Sequence, residues 1–348
     1  MNKALFSFAM LISTMVSAQA DHAHAATADE GGFEPSVTMH FGGDLVAGKF
    51  FGDAPEPNAF HLGVIDTMVH GRLSRSITVM TELVYEESGA GFGFDLERVQ
   101  VNYEPRTWFR LSAGRVHTPL GYWNTAFHHA RWMYASIEAP LLNRFEDGNG
   151  PLQTHTVGAL AHGTIPVAGL RLEYDLGVGN GRGRTPDPVQ QFTDVNEGKA
   201  VIAGVHVGIG GLRVGVSGLV DATTTEAGVD MAEQIGMADV HWKTGPLELL
   251  AEGALVRHDF TGAGVANNYG GYVQAVFSAR DDVHLYGRVE RFVRAPEEVF
   301  LTTPSTSNAL GGIRWDAEAS ASIKIEGGWE RVAGIDVGSV RGQVSWLF

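Results

Sequence analysis

Residues 114–158, GRVHTPLGYWNTAFHHARWMYASIEAPLLNRFEDGNGPLQTHTVG, hold the densest mixture of imidazole, guanidinium, carboxylate and aromatic groups in the chain. His117, His128, His129 and His155 carry ring nitrogens that titrate near neutrality and can ligate a metal. His128 and His129 are adjacent, and the segment has no His-x-x-x-His spacing, so loop packing or a pH-sensitive charge is expected ahead of a metal site. Arg131 and Arg144, with Glu138, Glu146 and Asp147, supply both signs of charge. Opposed across a narrow aqueous path, such charges would sort solutes by charge and dipole; the plainer role is that Arg144 and Glu146 pin the segment to a wall. Trp123, Phe127, Trp132 and Tyr134 are expected to pack the segment rather than to form a sugar-stacking slide. Catalytic signals are weak. Gly215-Val216-Ser217-Gly218 is followed by Leu219 where a nucleophile elbow needs glycine, and the glycines of 177–183 lack dinucleotide-binding spacing. No enzyme activity and no cofactor are expected.

A connection longer than about 12–15 residues is functional or disordered, and the aromatics of this one argue for order. The elements that must hold it are strands, because the flanking sequence alternates with period two. Val99, Val101 and Tyr103 alternate with Arg98, Gln100 and Asn102; Leu170, Leu172 and Tyr174 with Arg171, Glu173 and Asp175; Ile323 and Ile325 with Lys324 and Glu326. The pattern predicts sixteen strands, at about 34–48, 59–73, 76–87, 95–105, 108–117, 154–165, 169–179, 199–209, 211–221, 235–244, 246–258, 268–280, 283–294, 308–317, 321–332 and 337–348. Most reach the 9–11 residues that a tilted strand needs to cross a bilayer. Connections after even-numbered strands are short. Those after odd-numbered strands tend to be long, among them 117–153, 180–198, 222–234 and 295–307.

Residues 1–20 have the Lys3 start, uncharged apolar core and Ala18-Gln19-Ala20 end of a secretory signal peptide. Residues 21–33 are expected to form a polar periplasmic leader, whose His22 and His24 are solvated rather than metal-bound, and 34–348 to form one strand domain that carries the long connection at about 117–153. The chain has no cysteine, which excludes disulfides and thiolate zinc sites. Its net charge of −15 becomes −16 when Lys3 leaves with the signal segment. That balance argues against nucleic acid as a partner and tilts a pore toward cations.

A dry core cannot take the charges on the polar strand faces, because each buried ion costs several kcal/mol. Arg98, Arg110, Arg171, Arg213, Arg288 and Arg341, with Glu82, Glu173, Glu290 and Glu326, therefore read as the lining of an aqueous interior, with the aliphatic faces in lipid. The expected fold is all-β: a closed transmembrane antiparallel barrel of about sixteen strands with a long in-folded loop. Trp108, Trp242, Trp315, Trp346 and Phe348 are candidates for interfacial girdles. The last strand, ending at Phe348, resembles the final strand of Gram-negative outer-membrane barrels, which the barrel assembly machinery reads. Gly114-Arg115-Val116-His117-Thr118-Pro119-Leu120-Gly121 is similar to a strand-end motif of the phosphate-selective porins, although no lysine lies between Lys49 and Lys199. The likeness to general porins implies that the loop after the fifth strand narrows a channel. It also implies passive diffusion of small hydrophilic solutes and ions, contact with outer-membrane lipid and assembly as a homotrimer. The other readings are a substrate-specific channel for an anion, phosphate or sugar, and a non-conducting structural or adhesive barrel.

Overall fold

The computed structural model describes residues 33–53, 59–88, 91–128, 130–144, 151–186 and 193–348, with the side chains of 86–88, 91 and 92 left aside. The expected signal segment, His22 and His24 lie outside the described residues.

Alternation of apolar and polar side chains becomes sixteen strands. They are β1 (Ser36–Gly52), β2 (Ala59–Arg72), β3 (Ile77–Ser88), β4 (Gly91–Arg106), β5 (Phe109–His117), β6 (His155–Val167), β7 (Leu170–Gly179) and β8 (Ala200–Ile209). The second half contributes β9 (Leu212–Thr224), β10 (Asp230–Thr244), β11 (Leu247–Phe260), β12 (Gly264–Arg280), β13 (Val283–Val293), β14 (Thr306–Glu318), β15 (Ala321–Val332) and β16 (Ile335–Leu347). Each strand pairs with its sequence neighbours, and β1 pairs antiparallel with β16, so the sheet closes and no strand edge stays open. The seam runs from Gly42 opposite Leu347 to Gly52 opposite Val337, and Phe41 and Phe348 exchange backbone hydrogen bonds of 2.8 and 3.0 Å beyond it.

The expected strands all form, with one consequential difference in length. β9 runs on to Thr224 and β10 starts at Asp230, so the expected long connection 222–234 shrinks to 225–229. The run Thr223-Thr224-Thr225 reads as loop by composition, yet Met231, Glu233 and Ile235 continue the alternation and extend the hairpin.

Side chains sort by face. Along β10, Met231, Glu233, Ile235, Met237 and Asp239 are buried, while Ala232, Gln234, Gly236, Ala238 and Val240 are exposed. Exposed Val101, Val205, Val216, Val273, Val289 and Ile325 give the outer surface an aliphatic band. Exposed Trp108, Trp242, Phe277, Trp315 and Phe348 follow the rim of short turns, and Phe51, Phe60, Tyr85, Phe94 and Tyr269 the opposite rim. Trp346, expected to join a girdle, is only partly exposed. It lies over Gly43, where an added Cβ would come within 2.8 Å of its ring.

The inner face differs from the polar lining that the strand pattern predicts. Ile202, Leu219, Met231, Ile235, Val256, Phe260 and Phe292 form an apolar patch on β8 to β13, toward the rim of long connections. Leu120, Leu142 and Leu152 of the 118–154 segment pack on it, as do Phe300 and Leu301 of the 294–305 connection. Loops that lie down on a wall must bury apolar surface against it, and these inward aliphatics supply the wall's half of that core.

Candidate pore constriction

The segment between β5 and β6 is anchored at its base. Thr118 N–H donates to the Thr154 carbonyl at 2.8 Å, and the Thr118 and Thr156 hydroxyls lie 2.8 Å apart. Gly121 then adopts φ +74°, with the position of a Cβ 2.6 Å from Glu252 Oε1; only glycine fits so close to that carboxylate in this conformation. The short helix α1 (Trp123–Ala126) follows. Its free N–H groups need acceptors. Glu252 of β11 provides them, accepting from the N–H of Tyr122 and, at 2.8 Å, from that of Trp123. Asn124 Nδ2 donates to the carbonyls of Thr118 and Thr154, both at 2.8 Å, tying α1 to the base. Trp123 is fully buried and packs with Phe127, Tyr134 and Tyr272; Trp132 is buried too.

Beyond α1 the described residues of the segment have little regular structure, so their backbone polar groups need partners from outside. Wall charges provide them. Arg314 donates to the Tyr134 carbonyl at 2.9 Å. Lys324 Nζ donates to the carbonyls of Arg131 and Ser136. Glu326 accepts the Ile137 N–H at 3.1 Å and Glu290 the Leu141 N–H at 2.6 Å. Arg288 donates to the Glu138 and Ala139 carbonyls at 3.0–3.1 Å and to Ser136 Oγ at 2.9 Å. Ion pairs complete the attachment. Arg341 contacts both Glu138 and Glu326, Arg144 lies 2.9 Å from Glu330 and 3.4 Å from Glu138, and Arg131 lies 3.9 Å from Asp44. A segment rooted on β5 and β6 thus bonds to β1, β11 and β13 through β16.

The residues expected to line the wall divide into two groups. Arg288, Glu290 and Glu326 have side chains at most 1% exposed and, with Arg341, serve as sockets for the segment. Arg98, Arg110, Arg171 and Arg213 instead face a recess of about 360 Å³ that also touches His117 and Tyr122. Most of this charge is paired within the wall: Arg98 with Glu82, Arg171 with Glu173 at 2.6 Å, and Arg213 with Asp239 and, at 3.1 Å, with Glu173. Of the expected constriction residues, Arg131, Glu138 and Arg144 hold the segment to the wall, while His117 and His128 gather with His155 at its base. His129, Glu146 and Asp147 lie outside the described residues.

The three histidines come together despite their irregular spacing. Ring centroids of His117 and His128 are 4.0 Å apart, and those of His155 lie 5.1 and 4.6 Å from them. Among the described residues they are the group whose ligating atoms could hold a metal ion, all within 4.8 Å of one another.

A second polar cluster at the rim of long connections has no counterpart in the sequence pattern. His258 of β11 has Nδ1 2.8 Å from Glu298 and Nε2 3.0 Å from Glu233, and Arg182 reaches Glu233 at 2.9 Å. Glu298, in the 294–305 connection, also accepts from Asn268 and from the N–H groups of Phe300 and Leu301 at 2.8 and 2.9 Å. Burial would raise its carboxyl, but the hydrogen bond and charge of His258, with the Leu301 and Asn268 donors, hold it down at about 2. Arg182 and Glu298 sit among residues that compose as ordinary loop, so no local pattern marks them.

No protein-family model matches the sequence, and no curated protein matches it. Solved structures do match in fold. The anion-selective porin from Comamonas acidovorans aligns with a TM-score of 0.68 at 12% identity, over 90% of this chain and 100% of that one. A loop-deletion form of OmpT, an outer membrane protein of Vibrio cholerae, aligns at 0.66 and 11% identity over 90% and 99%. OmpF of Salmonella typhi, in complex with daunomycin, aligns at 0.60 and 10% identity over 90% and 97%. The chain has the porin fold: a closed antiparallel barrel of sixteen strands.

Proposed function

We propose that the protein is an outer-membrane channel for passive diffusion of small hydrophilic solutes and ions. The carrying observation is the sorting of faces: an exposed aliphatic band between two aromatic rims outside, and paired charges inside. An aliphatic belt of that kind suits lipid and a charged interior suits water. In this reading the 118–154 segment narrows the path, which its bonds to β11 and β13 through β16 support. Solutes pass on the side of Arg98, Arg110, Arg171 and Arg213. Final-strand recognition by the assembly machinery through Phe348 and a homotrimeric state belong to the same reading; a trimer form of OmpT of Vibrio cholerae is among the structures of this fold.

Liposomes containing the refolded protein should swell in small sugars, at rates that fall with solute size. Absence of swelling with correctly folded protein would reject the channel.

Pairing of the wall arginines with carboxylates leaves selectivity weak, with the acidic balance giving a mild cation preference. Arg110 and Arg171 have the most exposed side chains of the four, at 42% and 52%. Replacing both by Gln should move the reversal potential in a potassium chloride gradient further toward cations. A shift toward anions would contradict this assignment of the path.

The same arginines favour a second reading, a channel with a binding site for a small anion such as phosphate. It requires concentration-dependent block of the current by that anion, which a purely diffusive pore lacks.

A further inference from the structure

The base of the constriction segment has the makings of a metal site. His117 is the last residue of β5, His155 the first of β6, and the two are paired in register. His128 comes two residues after α1. A fourth group reaches them from β4, where the register shifts from Glu82–Arg98 to Leu83–Leu96 and leaves Glu97 as the extra residue of a bulge. A bulge re-aims side chains. Arg98 pairs with Glu82 inside the barrel, while its neighbour Glu97 is fully buried, with Oε2 3.0 Å from His155 Nε2 and 3.6 Å from His128 Nε2.

We propose that His117, His128 and His155, together with Glu97, bind one divalent transition-metal ion of the zinc class. Three imidazoles and a carboxylate suit zinc, cobalt, nickel or copper, whereas calcium and magnesium require mostly oxygen ligands. A tetrahedral site with bonds of 2.0–2.1 Å has ligand–ligand edges of about 3.3–3.4 Å. The Glu97 distances to His155 and His128 straddle that value, the histidine ligand atoms lie within 4.8 Å of one another, and partly exposed His117, which borders the lumen recess, would turn to complete the set and give the ion its way in.

The surroundings orient the ligands. His128 has φ +40°, a left-handed conformation that non-glycine residues rarely adopt and that turns its ring into the group. Asn124 Nδ2 is committed to two carbonyls, so its Oδ1, 2.8 Å from His128 Nδ1, must accept. The His128 proton is thereby fixed on Nδ1, and Nε2 presents its lone pair toward Glu97, the outer-shell arrangement of metal-ligating histidines. Arg115 donates to His155 Nδ1 at 3.1 Å, which puts the His155 proton on Nε2. Ligation through Nε2 moves the neutral ring's proton to Nδ1, so on metal binding Arg115 gives up that nitrogen and keeps its 2.9 Å bond from Nε to the Glu97 carbonyl. Because β4, β5, β6 and the segment each contribute a ligand, the ion would clamp both ends of the constriction segment. The site stands whether or not the barrel conducts.

The test is titration of the folded, detergent-solubilised protein with cobalt, in a background carrying His22→Asn and His24→Asn. One equivalent per chain should bind with the intense visible absorption of a tetrahedral ion and be displaced by zinc. His128→Asn and His117→Asn, each shown to be folded by its heat-modifiable gel mobility, should each weaken binding at least about tenfold. Asn124→Ala, a positioning change, should weaken it about 10–100-fold. Failure to bind one equivalent, a weak octahedral spectrum, or undiminished binding by a folded His128→Asn or His117→Asn protein would overturn the site.

Discussion

Replacing Arg288 by Met is expected to release the constriction segment and raise single-channel conductance. The guanidinium donates to Ser136 Oγ and to the carbonyls of Glu138 and Ala139, and it lies 3.3 Å from Glu290, which is itself buried. Met fills similar space, offers no donor, and leaves Glu290 with less compensating charge. Breaking one partner of a buried charge pair costs about 3–5 kcal/mol, much more than a surface ion pair contributes. The barrel's strand pairing is untouched, so the loss should be local: folded protein, larger and noisier current steps, and proteolytic cleavage within the segment. Unchanged conductance together with an intact, protected segment would show that Arg288 is not among its main anchors.

Acid should loosen the 294–305 connection through Glu298. Its carboxyl is held at about 2 against an ordinary 4.5, so the folded state binds its proton less readily than the unfolded one. The stabilisation is complete above about pH 4.5, declines as pH falls, and is gone once pH has passed about 2. Its size is of order a few kcal/mol at most. Glu298→Gln removes the ionised acceptor at every pH. The difference in amide-exchange protection of residues 298–302 between the two proteins should therefore be full at pH 6 and should vanish by about pH 2. A difference independent of pH over that range would show that the His258–Glu298 contact does not carry the attachment.

The barrel was legible in the sequence because period-two alternation repeats sixteen times, and each strand needs only its sequence neighbour to pair correctly. β10 shows the limit: the start of its alternation is masked by the threonines before it. The charges of the 118–154 segment were legible in composition, but their partners were not. Arg144 and Glu138 stood out as loop charges, while the groups that hold the segment, such as Glu252 and Lys324, lie more than a hundred residues away. The histidines illustrate the same point. Their spacing argued against a common site, but a short helix, a left-handed residue and a register pair bring them together, and none of these follows from spacing. Likewise, the apolar inner patch of β8 to β13 is indistinguishable in sequence from a lipid-facing one until the loops that cover it are placed.

The most direct test of the channel is single-channel recording of the refolded mature protein in a planar bilayer, with residues 119–153 intact and then replaced by a short turn. A diffusion pore narrowed by that segment predicts steady, ohmic steps that grow on its removal. A correctly folded barrel that passes no current in either form would contradict the channel itself, and equal steps in both forms would contradict the constriction.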